Sequence, residues 1–366
     1  MNKVSPEATR QAALEVLARL RGHAHEAYFA GGAVRDELMG VPPKDFDITT
    51  SATPEQVTAI FERCVEVGAQ FGVILVIHKG VEVEVATFRT ESGYADGRRP
   101  DHVDWATAEQ DVLRRDFTIN GLLKDPLCEH PEQAIVDFVG GIADLDANLI
   151  RAIGDPELRF EEDHLRLLRA LRFSARLNFT IEPKTWSAIQ AQGKNIVSVS
   201  AERIRDELER LLTEGGAKRG WRLLSTSGML PLVLPEVDHA ARVGERLSDA
   251  PMSAEQGWTL VLMDLAADSR ALEAWGKRLR LSKKLSRRVQ EAVVLAAGLK
   301  AYSAQSVAQR KRMVRSPVFA LAAAAAGSAG RADQRDPEPL EHASREALSW
   351  GADELHPAPL LDGRAL

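Results

Sequence analysis

Two aspartates separated by one residue could together bind a hard cation. Asp45 and Asp47 flank Phe46 at the start of the run 46–50, which is predicted to be a β-strand. Because side chains alternate between the two faces of a strand, both carboxylates point the same way. Mg²⁺ takes oxygen ligands and usually keeps positions for water and substrate phosphates. The pair therefore suits Mg²⁺, although this pattern taken alone is more often an exposed strand end.

A glycine turn precedes the aspartates. The apolar run 27–30 reads as a short strand, and it is followed by Gly31 and Gly32, after which a helix is predicted. Such a turn lets backbone N–H groups and a helix N-terminus meet an anionic group. Arg35 adds a guanidinium that suits phosphate. The alternative is a tight strand-to-helix turn in which Arg35 pairs with one of the two acids that follow it.

The two features together indicate one kind of chemistry. A phosphate-binding turn close in sequence to a two-carboxylate metal site fits metal-assisted nucleotidyl transfer, in which one ion activates a hydroxyl and the other stabilises the leaving pyrophosphate. The charge balance restricts the partner. Lys and Arg number 47 against 53 Asp and Glu, a net charge of −6, which argues against binding nucleic acid over the whole surface. Any such contact must be local.

Composition also bounds the class of protein. The 366 residues are 45% hydrophobic and 27% charged, as in ordinary globular proteins of two or three domains. Only Cys64 and Cys128 are present, which excludes a disulfide framework and a cysteine-based zinc site. The first 22 residues form a charged amphipathic pattern without a long apolar run, so neither a signal peptide nor a membrane span is predicted. We expect a cytoplasmic protein.

The elements that position these residues are a mixed head and a helical remainder. A capping Thr, a following Pro and a later Gln predict a helix over 53–61. The runs 72–78 and 81–88 are predicted to be strands of a hairpin that turns at Lys79 and Gly80. The polar stretch 91–104 is predicted to be a mobile loop. Beyond about Ile150 the pattern is almost entirely helical, including 160–177, 201–212 and 220–227.

Several motifs occur in the order that one enzyme family uses. They are YFAGGAVRDELMGVPPKDFDITTSATPEQV from Tyr28, VEVATFR at 83–89, the loop YADGRRPDHVDW, RRDFTIN at 114–120, EDHLRLLRALRFSARLNF at 162–179 and RIRDELERLL at 203–212. Over roughly 20–290 the chain resembles the superfamily of class II tRNA nucleotidyltransferases and bacterial poly(A) polymerases. The resemblance implies an α/β head with a polymerase-beta-like nucleotidyltransferase fold, a small mixed sheet with helices, followed by an all-α C-terminal region. No HxxHD motif is present.

The resemblance also implies which residues act. Asp45 and Asp47 would be catalytic and carry Mg²⁺. Glu84 is either a third carboxylate of that site or an exposed strand residue. The nucleotide would contact residues from four motifs, namely Gly31, Gly32, Arg35, Asp36, Arg115, Asp116, Asn120, Asp163, Arg166, Arg169 and Arg172. The alternative for RRDFTIN is a surface ion pair of Arg114 with Asp116, which is the better interpretation for Arg114 only.

The run 162–176 carries the strongest hypothesis about specificity. On a helix, Asp163 and Arg166 are neighbours facing away from the apolar stripe, and the alternative is an ordinary surface ion pair. A carboxylate only accepts and a guanidinium only donates hydrogen bonds. Together they complement cytosine and adenine, which present an amine beside an unprotonated ring nitrogen, but not uracil or guanine. The protein itself would thus select CTP and ATP, as the amino-acid template of the family does.

Basic residues gather in the second half of the chain. The window 276–288 contains no acid. Its proposed RNA contacts are Lys277, Arg278, Arg280, Lys283 and Lys284, which would hold the acceptor arm by its phosphates without reading sequence. A second group lies within 310–315. The alternative for both groups is a solvated helix face.

These observations predict a CCA-adding tRNA nucleotidyltransferase with tRNA 3′ ends as partner and CTP and ATP as substrates. Its predicted parts are a catalytic head (1–148), neck helices that recognise the base (149–215), and a helical body with a short or truncated tail (216–366). The loop 91–104 is the candidate for the element that switches the pocket from C to A. Alternatives are a poly(A) polymerase, an enzyme that adds only the terminal A, and, remotely, a non-catalytic RNA-binding module.

Overall fold

The computed structural model describes residues 5–68, 72–92 and 102–355. The chain divides into two compact units. The first comprises Met1–Ala170 and Phe179–Gln192, and the second comprises Leu171–Asn178 and Gly193–Leu366. None of the helices in the described ranges has the length and apolar character needed to cross a membrane. The division into head, neck and body at the boundaries given above stays a prediction.

The first unit mixes strands and helices. Its strands are β1 (Ala27–Ala30), β2 (Asp47–Thr50), β3 (Cys64–Gly68), β4 (Val73–His78), β5 (Val81–Thr87), β6 (Arg89–Ser92), β7 (His102–Trp105), β8 (Leu123–Lys124), β9 (Ile135–Val136), β10 (Leu149–Ile150) and β11 (Thr180–Ile181). Its helices are α1 (Pro6–Gly22), α2 (Gly32–Leu38), α3 (Pro54–Ile60), α4 (Ala108–Leu113), α5 (Gly141–Asp146), α6 (Pro156–Glu162) and α8 (Pro183–Gln192), with 3-10 turns at Thr118–Asn120 and Pro131–Gln133. Helix α7 (Leu165–Leu177) contributes residues to both units.

The described part of the second unit is helical. Its helices are α9 (Ala201–Thr213), α10 (Ala217–Thr226), α11 (Leu230–Val233), α12 (Ala240–Arg246), α13 (Ala254–Leu262), α14 (Ser269–Arg278), α15 (Lys283–Gly298), α16 (Val307–Val314), α17 (Phe319–Ala332), α18 (Glu338–Ser349) and α19 (Ala352–Leu355). Further 3-10 turns cover Gly193–Ser198, Met263–Leu265 and Leu299–Ala304.

A seven-stranded sheet organises the first unit. Its strand order is β3-β4-β5-β2-β1-β8-β9. Strands β2 and β5 are parallel, and the other neighbouring pairs are antiparallel. One face is buried, with Ile48, Ile74 and Val85 nearly inaccessible to solvent, and α1 packs against β4 and β5. The opposite face carries the polar residues described below.

Local sequence signals placed several elements correctly. Lys79 and Gly80 both have positive φ, at 50° and 80°, as a two-residue hairpin turn between twisted strands requires. Thr53 and Gln56 form the reciprocal capping box at the start of α3. The predicted fold class, a mixed α/β head followed by a helical region, is confirmed.

Two predictions need correction. The stretch 91–104 is not wholly a loop, because β6 and β7 pair antiparallel with Arg89 opposite Trp105; residues 93–101 lie outside the described residues. The run 160–177 is not one helix. It breaks at Asp163, whose backbone is extended (φ −147°, ψ 103°). The face opposite the apolar stripe is buried too, since Ala170 and Phe173 are inaccessible.

Candidate active site

Three carboxylates meet on the polar face of the sheet. Asp47 begins β2, and the parallel register Ile48 to Val85 places it beside Glu84 on β5. Enclosure by the surrounding protein, then the negative charges of Glu84 and Asp45, raise the pKa of Asp47 to about 7, although Arg115 opposes the shift. Burial and the charge of Asp45 also raise the pKa of Glu84. The structure thus brings Glu84 to the predicted pair.

The donor set of this cluster fits a divalent cation. Mutual repulsion of carboxylates is relieved by a cation that accepts their oxygens, and Mg²⁺ is commonly held by one or two carboxylates plus substrate phosphates and water. Within the described ranges, no group of three or more His, Cys, Asp or Glu side chains is arranged to hold a metal ion, so Glu84 does not complete a three-carboxylate metal site here. A metal held by Asp45 and Asp47 would need substrate oxygens and water as its other ligands.

The glycine turn brings an arginine to the same region. Gly31 has φ of +66°, a conformation that favours glycine, and a Cβ there would lie 3.4 Å from Arg115 Nη1. The Nη2 of Arg115 donates to Asp111 Oδ2 at 2.9 Å. Its Nε is buried without a hydrogen-bond partner. A buried unsatisfied donor is costly, so a phosphate bound at the turn would be stabilised by Arg115.

Arg35 has a different place from the predicted one. It is only 2% exposed, and its Nε and Nη2 both donate to Asp36 Oδ1 (2.9 and 2.6 Å). Its Nη1 donates to Asn120 Oδ1 at 2.6 Å. The pairing with the following acid is therefore correct. Arg35 positions the glycine turn against RRDFTIN, and its contact with the triphosphate stays a prediction.

Asp116 continues this polar network. Its Oδ1 accepts from Asn120 Nδ2 at 3.1 Å, and its Oδ2 accepts from Arg169 Nε and Nη2 at 2.9 and 2.6 Å. Burial opposes ionisation of Asp116, but the charge of Arg169 and the hydrogen bonds from Asn120 and Arg169 outweigh it, and the pKa falls to about 2. Asp116 is buried, so a surface ion pair with Arg114 is not what this residue forms.

Asp111 is a site residue that the sequence analysis missed. It is almost completely buried. Its Oδ1 accepts from Arg114 Nε and Nη2 (3.0 and 2.6 Å), and its Oδ2 accepts from Arg115 and, at 3.4 Å, from Thr49 Oγ1. Burial raises its pKa, but the charges of Arg115 and Arg114 dominate and lower it. The available signal was the spacing of an acid three and four residues before two arginines on a helix.

The two proposed base-recognition residues lie where the helix is interrupted: Asp163 follows the end of α6, and Arg166 is in the first turn of α7. Asp163 Oδ1 accepts from the backbone N–H of Leu165 at 3.1 Å, in the manner of an Asx turn. Arg166 is buried. Its Nη1 donates to Glu162 Oε2 (2.5 Å) and the Arg159 carbonyl (2.9 Å). Its Nη2 donates to the carbonyl of Arg114 at 2.8 Å. The assumption that both residues share one exposed helix face is wrong.

Arg172 is held by two carboxylates. It is 3% exposed, and its Nε donates to Glu207 Oε2 at 2.6 Å and its Nη1 to Glu214 Oε2 at 3.1 Å. Its guanidinium also lies 4.2 Å from the Phe173 ring centroid. These contacts hold helices of the second unit together, and the contact of Arg172 with the nucleotide stays a prediction.

The acid-free window is neutralised in part by distant acids. Arg278 forms a bidentate ion pair with Glu236, with both distances 2.8 Å, and Arg280 pairs with Glu202 at 2.5 Å. Lys277, Lys283 and Lys284 are exposed. Arg278 and Arg280 are thus held in ion pairs, and the contact of all five residues with RNA stays a prediction. In the second group Arg310 pairs with Glu346.

Comparison with known proteins identifies the family of this chain. Residues 27–151 match the family model of the poly A polymerase head domain, and residues 178–241 match that of a probable RNA and SrmB-binding site of polymerase A. The chain is 36% identical to the CCA-adding enzyme of Lactobacillus gasseri over 286 residues, which is 77% of this chain and 70% of that protein. It is 38% identical to the CCA-adding enzyme of Limosilactobacillus fermentum over 286 residues (76% and 70%).

The chain is also similar in structure to a solved CCA-adding enzyme. The crystal structure of the Bacillus stearothermophilus CCA-adding enzyme in complex with CTP superposes with a TM-score of 0.75 at 31% identity, covering 93% of this chain and 82% of that one. The head fold and its paired aspartates define a nucleotidyltransferase, and the resemblance noted above is confirmed. The chain belongs to the CCA-adding enzymes, within the superfamily of class II tRNA nucleotidyltransferases and bacterial poly(A) polymerases. Membership implies a divalent metal cofactor.

Proposed function

We propose that this chain adds C, C and A in turn to the 3′ end of tRNA, using CTP and ATP without a nucleic-acid template and releasing pyrophosphate. The observation that carries the proposal is the meeting of Asp45, Asp47 and Glu84 on a sheet face beside the glycine turn and Arg115. The relatives named above are CCA-adding enzymes, and one was crystallised with CTP. Two free cysteines fit a reducing compartment, and we place the reaction in the cytoplasm.

The carboxylates would hold Mg²⁺, which when bound would activate the attacking hydroxyl and stabilise charge on the transferring phosphoryl group. Asp45 and Asp47 are its proposed ligands, and Glu84 lies beside Asp47. Arg115 and the backbone of the glycine turn bind the triphosphate. The network from Asp36 through Arg35, Asn120 and Asp116 to Arg169 fixes the walls of this pocket. Preorganised groups of this kind stabilise the transition state because they need no reorganisation during the reaction.

Asp163 and Arg166 are proposed to select the base. Asp163 supplies the acceptor for the exocyclic amine, and Arg166 donates to the ring nitrogen. The three hydrogen bonds from Arg166 to Glu162 and to the carbonyls of Arg159 and Arg114 hold its guanidinium in place. Uracil and guanine would leave polar groups facing groups of the same kind, which costs about 1–3 kcal/mol per group. CTP and ATP are therefore preferred.

Asp163→Ala is expected to relax the rejection of UTP by about 10–100-fold, since one mispaired group is worth about 1–3 kcal/mol. The measurement is incorporation of each of the four nucleotides into tRNA that ends in CC or lacks CCA. Asp163→Asn is the matched variant, because its amide oxygen can still accept from Leu165 and preserve the Asx turn. Full rejection of UTP by both variants would contradict the assignment.

A chain of contacts connects the base site to the β6 and β7 hairpin. Arg166 donates to the Arg114 carbonyl, and Arg114 Nε donates in turn to the Arg89 carbonyl at 3.0 Å. Asp111 accepts from the Arg89 backbone N–H at 3.3 Å. Arg89 is the first residue of β6. We assign to this hairpin the switch of the pocket from C to A.

Lys283 and Lys284 are proposed to contact tRNA phosphates. Both begin α15 and are exposed. Replacing both with alanine is expected to weaken tRNA binding and reduce the salt slope of log Kd by about 1 per lysine. The KM for CTP should not change. Arg345→Ala, an exposed cation on α18, is the control, and an equal effect of that variant would contradict a specific role for the lysine pair.

One assay tests the proposed function against its alternatives. The protein is incubated with tRNA lacking CCA, and separately with unstructured RNA, in the presence of CTP, ATP or both. Addition of three nucleotides to tRNA alone is the expected result. Long A tails on either RNA would identify a poly(A) polymerase, and extension only of tRNA that already ends in CC would identify an A-adding enzyme.

A further inference from the structure

The polar face of the sheet carries an apolar strip beside the carboxylates. Along β4, Ile74 and Val76 are buried in the core. Val73, Leu75 and Ile77 alternate with them, so they point to the opposite face and remain partly accessible. The polar face is thus charged at β2 and β5 and apolar at β4.

Strand pairing places this strip in one row with the catalytic carboxylates. Val65 on β3 pairs with Leu75 on β4, and Leu75 pairs with Glu84 on β5. Continuing the register of β2 and β5 by one residue places Asp47 beside Glu84. Directly paired residues share a face. At about 4.8 Å per strand, Leu75 lies about 10 Å and Val65 about 14 Å from Asp47.

The strand order also indicates the side of the sheet from which the attacking hydroxyl enters. The glycine turn and Arg115 lie on the β1 side of Asp47, whereas Glu84, Leu75 and Val65 lie on the other side. In nucleotidyl transfer the attacking and leaving oxygens are roughly in line on the phosphorus. If the triphosphate occupies the glycine turn, the hydroxyl that attacks must enter from the side of β5 and β4.

We propose that Leu75 and Val65 form a platform for the bases at the 3′ end of the RNA that is extended. Val65 is 45% exposed at the edge of the sheet. The strip lacks the cations that bind phosphates but suits the flat, weakly polar faces of bases, and its length matches one to two nucleotides stacked 3.4 Å apart. The proposal rests on the proposed function, because it identifies how the same site holds its second substrate.

A binding experiment tests the platform without requiring catalysis. The probe is a tRNA acceptor minihelix whose 3′-terminal nucleotide carries 2-aminopurine, titrated with the full chain in EDTA. Val65→Trp is expected to quench the fluorescence by stacking and to tighten binding about 5- to 10-fold, because aromatic rings stack on bases. Leu127→Trp is the matched control. Leu127 is 43% exposed and follows β8, at the other end of the sheet order.

A kinetic experiment gives a second readout. Val65→Asp is expected to raise the KM for tRNA about 5- to 10-fold because it places a negative charge beside the RNA, while the KM for CTP stays within about 2-fold. Leu127→Asp should change neither value. Val65→Thr, which keeps the side-chain shape, should give a smaller rise in the KM for tRNA even if Val65→Asp folds poorly.

The outcomes separate the two proposals. Equal quenching by Val65→Trp and Leu127→Trp, or an unchanged KM for tRNA in Val65→Asp, would overturn the platform whether or not the enzyme adds CCA. An inactive wild-type protein would overturn the proposed function, while selective quenching by Val65→Trp would still support the platform as an RNA site.

Discussion

Asp47→Asn is expected to lower nucleotide incorporation by at least about 10³-fold, because a catalytic metal supplies several kcal/mol of transition-state stabilisation and Asp47 is one of its two proposed ligands. The same change is expected to stabilise the metal-free protein at pH 8. Enclosure by the protein, followed by the negative charges of Glu84 and Asp45, raises the pKa of Asp47 to about 7. The neutral amide of the Asp47→Asn variant removes the charge repulsion but also removes the catalytic activity.

The pH dependence of the stabilisation by Asp47→Asn follows from the raised pKa of Asp47. Folding raises the pKa of Asp47 from 3.8 to about 7, so the folded state binds a proton more tightly than the unfolded state. Unfolding releases that proton between these two values, and stability falls as pH rises through this window. The variant should therefore match the wild type below pH 4 and exceed it most above pH 7.

Thermal unfolding in EDTA at pH 4 and pH 8 measures this difference. A rise of about 2–4 °C in the midpoint at pH 8 corresponds to about 1 kcal/mol for a unit of this size. Mg²⁺ should raise the midpoint of the wild type and leave that of the variant unchanged. Asp146→Asn, an exposed acid on α5, is the control. If Asp47→Asn is less stable than the wild type at pH 8, the explanation that the charge of Asp47 destabilises the metal-free protein is wrong.

Short-range patterns were sufficient for the parts of the site that depend on one segment. The period of two at Asp45 and Asp47 predicted a shared carboxylate face, and the turn at Lys79 and Gly80 predicted the hairpin that brings β5 alongside β2. The resemblance of the motif order predicted the family. These signals are local because strand alternation and turn geometry are set by neighbouring residues.

Long-range pairing explains the contacts that the sequence analysis missed. The sequence analysis treats Arg172 and Arg278 as free to contact ligands, yet Arg172 is buried and Arg278 is partly buried, and each is paired with a carboxylate. For Arg172 and Arg278 the acids are 35 and 42 residues away in the chain. A short segment of the sequence around the arginine does not contain such a partner. The break at Asp163 was missed because apolar spacing continues across it, and only the extended backbone of one residue interrupts the helix.

Asp111→Asn is expected to produce the second large effect, through the arginines that it holds. This buried carboxylate accepts hydrogen bonds from Arg114 and Arg115. An asparagine amide cannot satisfy two guanidinium groups, and breaking a buried ion pair costs about 3–5 kcal/mol. The unfolding midpoint should fall by about 6–20 °C at about 2–4 °C per kcal/mol.

A specific effect on the nucleotide separates positioning from simple destabilisation. Because Asp111 orients Arg115, whose Nη1 lies beside Gly31, the KM for CTP should rise about 10–100-fold, the value of one or two hydrogen bonds to a charged group. The matched control is Glu182→Gln. Glu182 is also buried, and its Oε2 accepts from the backbone and hydroxyl of Thr185, so its loss should lower stability without changing the KM for CTP. If both variants raise that KM equally at a temperature where both are folded, Asp111 contributes only stability.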